Sequence, residues 1–311
     1  MVVLVTGGCG YIGSKLVREL PGEFPGQTIR ILDNMVKEKY CSLLNLPQET
    51  KFEMIEGDIR SESDAKKALQ DVEAVFHLAD ISNVPFSFKH KKLTRETNYR
   101  GAINIAKHSS SVDCFVYTSS AAFYGKTNAA VDEQAKCHPM SPYAKWKFQA
   151  EKEMLEMEKN NGFPLISIRF GTAVGWSVGI RMETIVDRFA YLACLGQSVT
   201  VWKSSVNIQR PFININDMVR AFIFAAKNKN RMVGQVFNAA SENLSMKEIL
   251  EIMKRNFPGF KYNISKQSDP NQASYSISSE KIKRLGFEFK HSVEDGVKEI
   301  KQKYGALSSF E

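Results

Sequence analysis

VVLVTGGCGYIGSKLVREL, Val2 to Leu20, reads as a strand, a glycine turn and a helix in direct succession. Val2–Val5 is an apolar run without a polar face, the pattern of a strand buried on both sides. Gly8, Gly10 and Gly13 match G-x-G-x-x-G, and Gly7, Gly10 and Gly13 match G-x-x-G-x-x-G. Glycines so placed permit a tight turn. They also let a pyrophosphate approach the backbone at a helix N-terminus, where free N–H groups and the dipole favour an anion. From Gly13 to Leu20 the apolar residues take helical spacing.

Outward from this unit the alternation continues. Apolar runs recur at Ile29–Leu32, Phe52–Ile55, Ala74–Leu78, Phe115–Tyr117, Leu165–Phe170 and Val236–Asn238. Helical patterns lie at Ser63–Leu69, Thr94–His108 and Pro142–Asn160. Continuous apolar strands separated by helices imply an α/β fold, a doubly wound, Rossmann-like parallel sheet that binds ligands at the carboxyl ends of its strands. From Thr172 the alternation loosens, with helical patterns at Met182–Leu195, Ser245–Asn256 and Val293–Tyr304. The expected division is a nucleotide-binding domain of residues 1–171 and 206–240, and a smaller, mostly C-terminal substrate lobe of 172–205 and 241–311.

An acid about 20 residues beyond the glycine turn is the second mark of a dinucleotide site. TIRILDN supplies Asp33 at the end of the next strand. A carboxylate there accepts both hydroxyls of an adenosine ribose and repels a 2′-phosphate, which favours NAD over NADP. The nearest cations are Lys37 and Lys39.

Composition narrows the class. The 311 residues are 43% hydrophobic and 24% charged, ordinary for a globular protein, with a net charge of +8. The basic excess is dispersed, densest at Lys89–Lys92, and no basic stripe with interleaved aromatics suggests nucleic acid. Five scattered cysteines, with no C-x-x-C pair, suggest reduced thiols in the cytoplasm and neither a metal site nor a disulfide framework. His77 lies on an apolar strand without a second ligand at suitable spacing, so no metal is assigned. No apolar run approaches membrane-span length, and MVVLVTGG begins a strand with no leader pattern before it.

SPYAKWKFQAEKEML, Ser141 to Leu155, opens a helix with Ser as cap and Pro in the first turn. Tyr143 and Lys147 are four apart and share a face. A free phenol has a pKa near 10, too high for a base at neutral pH, and a neighbouring ammonium lowers it.

In order and spacing, TGGCGYIG, LDN, EGDIR, FHLAD, TNYRGAINIA, YTSSAAFYG, SPYAKWK, IRFGTAVG and QRPFININD resemble the extended short-chain dehydrogenase/reductase family, in its nucleotide-sugar epimerase and dehydratase branch. The resemblance covers almost the full length. It implies Tyr143, Lys147 and Ser120 as the catalytic group, Ser120 being the serine five residues before Gly125. Asp58 and Ile59 would flank the adenine, Leu78 and Ala79 would line the dinucleotide, and Asn98 would support that region. Tyr11, Ile12, Asn34, Thr118 and Phe170 join Gly7, Gly10, Gly13 and Asp33 around the cofactor. Lys147 would also hold the nicotinamide ribose. The substrate would meet Ser120, Thr172, Arg181 and Arg210. The helices carrying Asn98 and Tyr143 would pair across a homodimer axis.

Dehydratases of this branch resemble Thr-Asp-Glu at the serine position, whereas this chain reads Ser120-Ala121-Ala122. Alanine transfers no proton, so the reading is C4 epimerisation of a nucleotide sugar, with net 4-dehydrogenation as the alternative. Three departures stand out. His77-Leu78-Ala79 is followed by Asp80 where many relatives have alanine. Thr172 replaces a frequent asparagine. No arginine stands near Asp269, where many relatives hold the substrate diphosphate, and Lys266 is the nearest cation.

Overall fold

The computed structural model describes residues 2–266 and 273–307. Its strands include β1 (Val2–Thr6), β2 (Thr28–Asp33), β3 (Phe52–Glu56), β4 (Val72–His77), β5 (Cys114–Ser120) and β6 (Leu165–Phe170). After these come β7 (Thr172–Val174), β8 (Gln209–Asn214), β9 (Gln235–Ala239) and β10 (Glu242–Ser245). Seven of them form a sheet in the order β9-β6-β5-β4-β1-β2-β3, with every neighbouring pair parallel. The winding reverses between β1 and β4. That switch point opens a crevice beyond the strand ends, where this architecture places its ligands.

The principal helices are α1 (Tyr11–Glu23), α2 (Glu62–Ala68), α3 (Ala102–Lys107), α4 (Pro142–Asn161), α5 (Ile185–Cys194), α6 (Ile215–Lys227), α7 (Met246–Asn256) and α8 (Val293–Tyr304). One face of the sheet is covered by α1 and α6 through Leu16, Val17, Leu20, Met218 and Phe222. The other is covered by α3 and α4 through Ala102, Ile105, Ala150 and Met154. With both faces dry, all seven residues of β5 are buried, which is why that strand carries no alternation. A third cluster joins α5, α7 and α8 through Val186, Ile249, Met253 and Val297.

The structure departs from the sequence-based expectations in several places. The glycine turn is shorter than its motif, since α1 already starts at Tyr11 with Gly10 as its N-cap. Thr94–His108 is not one regular helix: a π-helical stretch over Glu96–Gly101 separates α3 from the turn before it. The helix expected from Met182 begins at Ile185. Strand β8 pairs with β7 in parallel and with β10 in antiparallel fashion, in a separate three-stranded sheet. Residues 209–214 are therefore not part of the main sheet, although α6 and β9, which follow, complete it. Helix α6 itself was not anticipated from the sequence.

Candidate active site

The turn after β1 is built for close approach. Gly7 has φ +70°, and a Cβ on it would lie 2.7 Å from the Ala79 amide nitrogen; one on Gly13 would lie 2.2 Å from the Gly7 carbonyl oxygen. Thr6 Oγ1 bonds the amides of Leu78 and Ala79, both at 3.2 Å, joining β1 to the end of β4. His77 Nδ1 lies 2.9 Å from the same hydroxyl, and its ring stacks on Phe115 and Tyr117. Burial, with the Lys147 charge assisting, lowers the His77 pKa to about 3, so it is a neutral packing residue. No side chain caps α1 and no acid lies in its first turn, which keeps its positive end facing the crevice. Asp33 accepts from the Cys9 amide on one oxygen and from the Met35 amide on the other, both at 3.0 Å. Each oxygen retains a lone pair for a hydroxyl donor. Burial raises the Asp33 pKa, opposed by these backbone bonds and by Lys39. Lys39 is engaged elsewhere, donating to the Gly179 and Ile180 carbonyls.

Farther along the crevice, Asn34 donates to Asp58, which is paired with Arg60. Ile59 and Leu78 are buried, and Ala79 is half-buried. Thr118 Oγ1, on β5, is buried without a hydrogen-bond partner among the described residues. Asn98 brackets Ile81, accepting from its amide at 2.7 Å and donating to its carbonyl at 3.0 Å. Its place in the π-helical stretch belongs to the pattern of such bulges at functional sites. Tyr11 turns its hydroxyl to the Gly175 carbonyl, Ile12 is half-buried beside it, and the Phe170 ring packs on Phe222 in the core.

Helix α4 carries the reactive groups. Ser141 caps it through the Ala144 amide, Pro142 occupies its first turn, and Gly162 closes it in the left-handed conformation. Tyr143, Lys147 and Glu151, at i, i+4 and i+8, lie on its buried face. Glu151 escaped the sequence reading. It is 0% exposed and accepts from Ser119 and Ser167 at 2.7 Å each and from Arg169 at 2.6 Å, riveting α4 to β5 and β6. Its signal in the sequence was the repetition of a polar residue every fourth position after Tyr143. This rivet joins α4 to β5, whose last residue, Ser120, favours ionisation of the Tyr143 phenol.

The electrostatics differ from expectation. Lys147 was expected to lower the Tyr143 pKa, yet among the protein's own groups the phenol is held well above its ordinary value. Burial is the main cause and the Asp80 charge the next, opposed by Ser120 and Arg181. The Lys147 ammonium is paired with Asp80, Nζ to Oδ2 3.2 Å. Lys147 also lies over the Tyr117 ring, 4.5 Å from its centroid.

On the other side of the crevice, Arg181 donates to the hydroxyl and carbonyl of Ser82 and pairs with Glu183. The segment around it is fastened to the glycine turn by Ser177 to the Tyr11 carbonyl at 2.7 Å and by the Gly179 amide to Ser14 at 3.0 Å, contacts that the motifs did not reveal. Thr172 faces Phe212 across β7 and β8, two residues from Arg210. Arg210 stacks over Tyr275 at 5.1 Å. Asp269 lies outside the described residues.

The glycine turn, Asp33 and the Tyr143/Lys147 pair on α4 define an NAD-dependent enzyme of the short-chain dehydrogenase/reductase type. Residues 3–240 match the NAD dependent epimerase/dehydratase family, and the chain belongs to that family. It is 30% identical to a UDP-glucose 4-epimerase of Lactobacillus helveticus over 82% of this chain and 81% of that protein. It is 26% identical to the dTDP-D-glucose 4,6-dehydratase of Homo sapiens over 97% of this chain and 89% of the relative. A crystal structure of UDP-glucuronic acid 4-epimerase from Bacillus cereus, in complex with UDP-glucuronic acid and NAD, superposes with a TM-score of 0.89. That structure is 25% identical and covers 98% of this chain and 100% of its own.

Proposed function

We propose that the protein epimerises a nucleotide sugar at C4, of the UDP-glucose/UDP-galactose type, through a 4-keto intermediate. The observation that carries this reading is the junction of Tyr143 with Ser120 at the end of β5, followed by Ala121 and Ala122 and not by an acid/base pair. When bound, NAD supplies the hydride acceptor and, in its oxidised form, a positive ring. Tyr143 takes the proton from the C4 hydroxyl as hydride leaves the same carbon, and Ser120 hydrogen-bonds the reacting oxygen. Tyr143 would restore that proton to the oxygen once the 4-keto group is reduced from its other face, which gives the epimer.

Gly7, Gly10 and Gly13 would take the pyrophosphate, Asp33 the adenosine ribose, Asp58 and Ile59 the adenine, and Lys147 the nicotinamide ribose. Arg210, Thr172 and Arg181 are assigned to the substrate. We further propose a homodimer through the π-helical stretch that carries Asn98 and through α4, where Trp146 stacks on Tyr99 and lies under Arg95 and Lys145. A cytoplasmic setting accords with five free cysteines. Among the described residues no helix is long and apolar enough to cross a membrane.

The test is incubation of the purified protein with UDP-glucose, UDP-galactose and UDP-glucuronic acid, followed by proton NMR. Interconversion of a pair of C4 epimers is expected, lost by about 10²–10⁴-fold in Tyr143→Phe. Stoichiometric NADH without an epimer would replace the proposal with net 4-dehydrogenation. Undiminished turnover by Tyr143→Phe would remove Tyr143 as the base.

A further inference from the structure

The loop after β4 meets two cations, Lys147 and Arg181. Asp80 pairs with Lys147, the two side chains being 12% and 1% exposed. Two residues on, Ser82 holds Arg181 through its hydroxyl and carbonyl. Ile81, between them, is pinned at both backbone groups by Asn98. The position of the Asp80 carboxylate is therefore determined by β4, by Asn98 and by the ammonium it meets.

The groups acting on the phenol come from several elements. Asp80 and Tyr275 oppose its ionisation and Ser120 and Arg181 favour it. Tyr117, on β5, senses the charges of Glu151 and Asp80. Lys147 is flanked by Asp80, by Glu151 one turn along its own helix, and by His77 at the end of β4. His77 stays neutral, so the charged groups around Lys147 are the two carboxylates, and Glu151 is itself paired with Arg169.

We propose that Asp80 is a positioning residue for the reaction: by pairing with Lys147 it withholds the ammonium charge from Tyr143 and leaves ionisation of the phenol to the oxidised nicotinamide ring and Arg181. This rests on the reading of Tyr143 as the base. Its consequence is a coupling between cofactor oxidation state and base strength. A bound NAD⁺ would add a positive charge that favours the Tyr143 phenolate, and NADH would not. A proton is then taken from the sugar only when a hydride acceptor is present, and is available for return when the carrier is reduced. Alanine at this position, the side chain many resembling sequences have, would leave the Lys147 charge to act on the phenol in both states.

The experiment is a pH titration of tyrosinate absorbance, with the same protein carrying Tyr143→Phe subtracted so that only this phenol is read. It is done on the native chain, Asp80→Asn and Asp80→Glu, each saturated with NAD⁺ or with NADH. The expected result is ionisation about one pH unit or more lower in Asp80→Asn, and a smaller gap between the NAD⁺ and NADH forms. Asp80→Glu keeps the charge and is expected to follow the native curve. Should Asp80→Asn fold poorly, Asp80→Ala is read in its place. Superposed native and uncharged-variant curves, or an equal NAD⁺/NADH gap in both, would overturn the proposal. The titration uses no sugar substrate, so its outcome is independent of which sugar, if any, is epimerised.

Discussion

Replacing Glu151 by alanine should destabilise the protein more than any exposed substitution, and the structure says by how much. The carboxylate is 0% exposed and satisfies Ser119, Ser167 and both the Nε and Nη2 of Arg169. Alanine removes every one of those acceptors. The Arg169 side chain, 6% exposed, then keeps, among the described residues, the Tyr124 hydroxyl and the Glu133 carbonyl through Nη1. Breaking a buried pair by deleting one partner costs about 3–5 kcal/mol, because the surviving charge stays out of water. At about 2–4 °C per kcal/mol for a large domain, Tm falls by roughly 6–20 °C. Glu151→Gln keeps an acceptor for the serines and should lose about 1.5–3 kcal/mol. The double replacement Glu151→Leu with Arg169→Met removes both charges and should recover most of the loss seen with alanine. The assay is thermal unfolding followed by circular dichroism, with cofactor saturating and absent. An alanine variant melting within about 2 °C of the native chain would refute the reasoning, since the pair would then contribute little to holding α4 on β5 and β6.

Further outcomes are expected. Gly13→Ala forces a Cβ to 2.2 Å from the Gly7 oxygen, so the loop must move and NAD affinity should fall at least about tenfold by calorimetry. Gly22→Ala in the same helix meets nothing within 4 Å and should instead raise stability by about 0.5–1 kcal/mol without changing NAD affinity. Asp187 accepts from the Gly175 amide at 3.0 Å, and burial, opposed by that bond, pushes its carboxyl from 3.8 up to about 7. The folded chain thus keeps a proton there that the unfolded chain releases. The contribution of Asp187 is most favourable below about pH 4 and declines as pH rises to about 7, by about 4 kcal/mol in all. Asp187→Asn cannot ionise, so its Tm relative to the native chain should climb between these limits; a difference constant with pH would exclude the mechanism.

Much of this protein was determined by local chemistry that the sequence displays. The Val2–Val5 run and the glycines after it could hardly be anything but a buried strand and a turn open to an anion, because close backbone approach tolerates no side chain there. Asp33 at the end of β2 was legible for the same reason: a parallel strand delivers its last residue to the crevice. Ser141-Pro142 announced α4, and the spacing of Tyr143 and Lys147 put them on one face. What the sequence did not show were relations between segments distant along the chain. Glu151 looked like one charge among many on a polar helix until Ser119, Ser167 and Arg169 came to meet it. Asp80 read as a departure from a motif, and only the tertiary arrangement made it the partner of Lys147 and a charge that opposes ionisation of Tyr143. Periodicity records which face of an element is dry. It does not record which charge lies opposite, and in a buried site the opposing charge decides the chemistry.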